Sequence, residues 1–195
     1  MSRFGPEVEL DEPAFIHPSA LVHGRVRIAK DASLWPFVVI RAECGHVEIG
    51  EGTNIQDFTM IHVGFPEPAI IGKHCSVAHR CVVHGATIGD NCLIGIGATI
   101  MDGALIGANS IVAGGSFVTE RTVVPPNSIV MGVPAKATKT RNNWIANRFN
   151  ASIYVRNAKA YARGEHRAWH GTEFQAFAKT EMDRLKRDFE KENGA

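Results

Sequence analysis

The sequence predicts an all-β solenoid of short stacked strands, followed by C-terminal α-helices. Three observations carry that expectation. From residue 88 onward every sixth residue is Ile or Val: Ile88, Ile94, Ile100, Ile106, Val112, Val118, Val124 and Val130. The fourth residue after each anchor is mostly small or short: Cys92, Ala98, Ala104, Ser110, Ser116, Thr122 and Ser128. Further on, "RNNWIANRFNASIYVRNAKAYAR" abandons the period, is rich in Ala and Asn, and reads as a helix.

The same frame runs earlier in the chain with interruptions. Ile16, Val22, Ile28, Leu34 and Ile40 form one block. An insertion around "ECG" precedes Ile49, Ile55 and Ile61, and a second, "GFPEP", precedes Ile71, Val77 and Val83. Each hexad is a short strand plus a corner, with the bulky anchor pointing inward and the small residue filling a tight interior position. Stacked coils at about 4.8 Å per rung satisfy one another's backbone groups, and no single repeat buries its face alone. Cys75, Cys81 and Cys92 fall at the small interior position and read as core residues, while Cys44 lies in an insertion and has no assigned role. Residues 1–136 are therefore read as the solenoid and 137–195 as a helical extension packed on it or on a neighbouring subunit. "TEFQ" at 172–175 matches a capping box opening a second helix. The apolar stripe of that helix is Phe174, Ala178, Met182, Leu185 and Phe189.

Composition narrows the function classes. The chain has 195 residues, 45% hydrophobic and 21% charged, with 21 basic against 20 acidic residues. That balance offers no electrostatic footprint for nucleic acid. No apolar run is long enough to span a membrane, and the start shows no signal-peptide core, so a cytoplasmic protein with reduced thiols is the expectation.

The six-residue pattern resembles the left-handed parallel β-helix of hexapeptide-repeat proteins, over roughly residues 11–136. In that fold three hexads make one triangular coil, so every third hexad shares a face. The hexads anchored at Ile40, Ile61 and Val83 then stack, which puts Arg41, His62 and His84 in one outward column. The hexads of Ile55 and Val77 stack on a neighbouring face, which puts Asp57 and His79 in a second column. His79 thus points away from His62 and His84 within one chain. Three-fold packing of triangular prisms would bring the two columns together at three equivalent interfaces.

"NIQD" at 54–57, "IHV" at 61–63 and "AHRCVVHG" at 78–85 resemble the corresponding stretches of γ-class carbonic anhydrases and their relatives. That resemblance implies a homotrimer with one zinc, iron or cobalt ion per subunit interface. The ligands carried over are His62 and His84 of one chain and His79 of its neighbour. Three imidazoles leave a position open for water, as in catalytic zinc sites, and the ion brings the pKa of that water to about 7, poised to attack CO2 as substrate. The resemblance also implies Arg41 paired with Asp57 across the interface, and Gln56 beside the water, although a purely structural interface role for Gln56 and Asp57 remains open. Arg41-Ala42-Glu43 stands where the family often has Arg-Gly-Asp, and Glu43 keeps the charge. The acidic loop of active members is short here, "VGFPEPA", with Glu67 as its one carboxylate, so proton transfer to solvent is expected to be slow. His17, His23, His46, His74, His166 and His170 read as surface residues. Two further readings stay open. One is an acyl-CoA acyltransferase, with "GVPAK" at 132–136 and His79 or His84 as general base, or a thioester hydrolase on the same metal. The other is a non-catalytic trimeric scaffold that holds metal for stability.

Overall fold

The computed structural model describes residues 2–193 and winds the chain into a parallel β-solenoid with three faces. Two-residue strands alternate with tight corners because each hexad has one residue that must be inside and one small residue that allows the turn. Ile28, Ile40, Ile49, Ile55, Ile61, Ile71, Ile88, Ile94 and Ile100 are all buried to within 1%. Each such side chain contributes about 1.5–3 kcal/mol of transfer free energy. The small positions close the interior: Ala20, Ala32, Cys75, Cys81, Cys92, Ala98 and Ala104 are buried as expected.

One face carries the parallel pairs that matter most for function. On it Ile40 sits beside Ile61 and Arg41 beside His62, and His62 in turn pairs in register with His84. We call this the paired-histidine face. Strand Val39–Ile49 continues around the corner, so its second half ladders with Ala69–Ile71 on another face. The remaining face stacks Phe15–Ile16, Ser33–Leu34, Asn54–Ile55, Ser76–Val77, Leu93–Ile94, Ile111–Val112 and Ser128–Gly132. It carries Asp57 and His79 just beyond its strands, and is called here the single-histidine face.

Backbone groups are satisfied coil to coil: Asn54 N–H donates to the Cys75 carbonyl at 3.0 Å, and Ser76 N–H to Cys92 at 2.9 Å. The last coil ends differently. Ser128–Gly132 folds back into strand Ala135–Thr140 as an antiparallel hairpin. That strand crosses residue 136, so the helical part begins only at Trp144.

Helix α1, Trp144–Ala162, lies along the single-histidine face, and α2, Thr172–Asn193, packs on α1. The Asn-rich composition of α1 now has a reason. Asn147 donates to the carbonyls of Asn91 and Ser110 at 2.9 and 3.3 Å, and Asn150 to Ser76 Oγ at 2.8 Å. Trp35 is buried between Tyr154 and Tyr161, with ring centroids at 5.7 and 4.9 Å. On α2, Leu185 is buried and the rest of the expected stripe is half-buried. The helix takes in Thr172 itself: Gln175 N–H donates to the Gly171 carbonyl at 3.3 Å, one residue earlier than the capping-box pattern places the start.

Candidate functional site

The stacking of identical hexads delivers His62 and His84 to the same spot on successive coils. Their rings lie 4.9 Å apart between centroids, and His62 Nδ1 stands 2.9 Å from His84 Nε2. Each outer nitrogen meets a carboxylate. His62 Nε2 is 2.9 Å from Glu43 Oε2, and His84 Nδ1 is 2.7 Å from Asp102 Oδ1. Ionised carboxylates only accept, so the outer nitrogens carry the hydrogens. In two neutral rings the facing nitrogens are then both lone pairs at hydrogen-bond distance. One cation between them, a proton or a metal ion, removes that conflict, and paired imidazoles backed by carboxylates are the donor set of metal–histidine sites. The residues therefore fit an ion.

Glu43 reaches His62 from one side and Arg41 from the other, forming an Arg41–Glu43–His62 chain. Desolvation works against its charge. A backbone hydrogen bond, the bond from His62 and the Arg41 charge outweigh it and hold the carboxyl below the usual range.

Asp102 is the residue that hexad reasoning missed. It follows the strand Thr99–Ile100, which pairs with Val82 and Val83 one coil away. Its carboxylate occupies the space a Cβ would fill at Gly64 and at Gly85: such atoms would lie 2.1 and 2.3 Å from Asp102 Oδ1. The signal was in the sequence as two glycines following His62-Val63 and His84, with an aspartate one coil further on.

His79 behaves as the odd histidine. Its Nδ1 is 2.9 Å from Asp57 Oδ2, one coil below, and its ring stays partly exposed. Among the described residues of one chain, no three His, Cys, Asp or Glu side chains converge in a group that could hold a metal. Within the chain Arg41 is paired with Glu43 and Asp57 with His79. Gln56 is buried, and its Nε2 donates to Asn54 Oδ1 at 2.9 Å, which ties it through Ser76 to Asn150 on α1. Tyr154 on α1 also sits in this neighbourhood: burial, reinforced by the Asp57 charge, pushes its phenol up to about 12.

One presumed surface histidine is different. His74 is half-buried and lines a cavity of about 790 Å³ whose other walls are α1, α2 and the segment joining them. Burial first, and then the Arg148 charge, bring its pKa down to about 4. The cavity wall carries Arg148, Arg156, Lys159 and Arg163 but none of His62, His79 or His84.

Comparison with known proteins finds hexapeptide-repeat and carbonic anhydrase-named relatives. The family model described as bacterial transferase hexapeptide (six repeats) matches residues 85–120. A Methanocaldococcus jannaschii protein named "Probable carbonic anhydrase" is 50% identical over 124 residues, 64% of this chain and 78% of that one. "Gamma carbonic anhydrase 2, mitochondrial" of Arabidopsis thaliana is 38% identical over 107 residues, 52% of this chain, and the match spans 38% of that relative's length. Among solved structures, a hexapeptide transferase family protein from Anaplasma phagocytophilum superposes with a TM-score of 0.76 at 33% identity. That match covers 81% of this chain and 96% of the other.

Proposed function

Because the chain belongs to the γ-class carbonic anhydrase-like family of hexapeptide-repeat proteins, we propose that it hydrates CO2 at metal sites shared between the subunits of a homotrimer. His62 and His84 of one copy and His79 of the next would hold zinc, or iron or cobalt in its place, one ion per interface. The ion, when bound, supplies the Lewis acidity that makes hydroxide available near neutral pH.

The chain's own residues do the rest. Glu43 and Asp102 fix the tautomers of His62 and His84, so both inner nitrogens present lone pairs to one point. Asp57 does the same for His79, leaving Nε2 as its donor. Hydration releases a proton, and Glu43 Oε2, hydrogen-bonded to His62 and open to solvent, offers its exit. Gln56 is assigned a structural role, since its amide is committed to Asn54.

The observation that supports this reading most is the facing pair of ring nitrogens 2.9 Å apart with both outer nitrogens already on carboxylates. Its test is complementation between His79→Ala and His84→Ala. Each variant alone should hold no metal at these sites and hydrate no CO2. An equal mixture assembled together should recover about a quarter of the sites, those where an intact His62–His84 pair meets an intact His79. A mixture as empty as its parents would sink the shared site.

A second reading draws on the two His–Asp pairs, His79–Asp57 and His84–Asp102. Either could serve as an oriented general base for acyl transfer from acyl-CoA. Acetyl-CoA titrated calorimetrically into the protein decides this, and absence of heat removes it.

A further inference from the structure

Among the described residues, ten non-glycine residues have positive φ, and most are types that tolerate it or can point away into water: Asp31, His74, Asn91, Asn109, Asn127 and the like. Phe37 and Phe58 are the exceptions. Both sit at φ 60, a left-handed conformation that is an outlier for bulky side chains. Both are more than half exposed, at 54% and 60%, and their rings stack on each other at 4.9 Å and 16°. A strained backbone holding two large aromatic rings in water contributes little to the stability of one chain.

Their place in the solenoid supplies the reason. Phe37, Phe58, Arg80 and Gly97 form one column of corner residues, linked by backbone bonds such as Phe58 N–H to the Pro36 carbonyl and Arg80 N–H to Asp57. That corner joins the single-histidine face, ending at Asp57 and His79, to the paired-histidine face, beginning at Met60–His62 and Val82–His84. Suppose three prisms close a ring in which the paired-histidine face of each meets the single-histidine face of the next. The corner between those two faces then points at the rotation axis, in every copy. Ile96, 59% exposed, lies beside the same column.

We infer that the Phe37–Phe58 stack is the apolar core of the three-fold axis, covered by the same stack from two further copies of this chain. The inference rests on the shared-site reading and adds which residues hold the copies together. The partner is a second and third copy because the two half-sites flanking this corner, His62 with His84 and Asp57 with His79, are each incomplete alone. A ring of six phenylalanines removes the exposed apolar surface and repays the strained corners.

Two double variants test this, with molecular mass measured by light scattering and sedimentation, and folding followed by circular dichroism. Phe37→Glu/Phe58→Glu sets six carboxylates around the axis and should give folded monomers. Phe37→Gly/Phe58→Gly relieves the positive φ, so each chain keeps its fold while trimers dissociate at least 100-fold more readily on dilution. The opposite response of chain and assembly is something a merely structural role would not produce. Double variants that remain trimers of wild-type stability would overturn the inference while leaving the shared site intact. A wild-type protein that is itself monomeric overturns both, and the complementation experiment then fails as well.

Discussion

Asp102 holds His84 from the next coil, Oδ1 to Nδ1 at 2.7 Å, through space that Gly64 and Gly85 leave open. Asp102→Ala removes the partner that sets the His84 tautomer. Zinc affinity, measured by competition with a chelating dye, should fall 10–100-fold, the usual range for losing such a support. Asp102→Asn, which still accepts a hydrogen bond, should fall in between. Gly85→Ala is the geometric version of the same experiment. Its Cβ would meet Asp102 Oδ1 at 2.3 Å and Gly64 N at 2.8 Å, at φ +53, so both affinity and stability should drop, the latter by about 1–3 kcal/mol. Wild-type affinity in Asp102→Ala would show that the contact does not position His84.

His74 makes stability depend on pH. Its folded pKa, about 4, lies below the unfolded 6.5, so the unfolded chain binds the proton more readily. The contribution is complete above pH 6.5 and is lost as pH falls towards 4. Discounted for partial exposure, it amounts to roughly 1–2 kcal/mol. His74→Gln should flatten that part of the urea-midpoint profile. An unchanged slope between pH 6.5 and 4 would assign the acid sensitivity to other groups.

The cysteines should divide cleanly. Burial pushes the Cys81 thiol up to about 11 and Cys75 well above its usual value, and Cys92 is buried as well. Cys44 is the partly exposed one, with Sγ 3.4 Å from the Gly64 carbonyl. Iodoacetamide on native protein at mildly alkaline pH should modify Cys44 within minutes and spare the others, read by peptide mass spectrometry. Modification of Cys81 or Cys92 at the same rate would mean that the coils open.

The fold was legible because a strict six-residue period admits few alternatives. Once the anchors are placed, the columns Arg41–His62–His84 and Asp57–His79 follow from counting, and the strand registers reproduce both. Asp102 escaped because it acts diagonally. Its backbone is level with Gly85, not with His84, and only missing side chains let it lean across. His74 escaped for another reason: its burial comes from helices whose docking depends on asparagines, a polar contact that apolar periodicity does not register. The Arg41–Glu43 pair was hidden by a two-residue spacing that in an ordinary strand puts both side chains on one face without saying that they meet.

The terminal hairpin has a consequence for how copies of the chain can meet lengthwise. A stack of parallel rungs invites further rungs, and an open end is a template for fibre growth. Here the final strand, Ala135–Thr140, runs antiparallel and carries exposed Lys136 and Lys139. At the opposite edge of the same sheet, Phe15 is covered by Tyr161 of α1 at 5.9 Å. The C-terminal end of that sheet is thus blunted by strand reversal and by charge, so head-to-tail growth from it is discouraged.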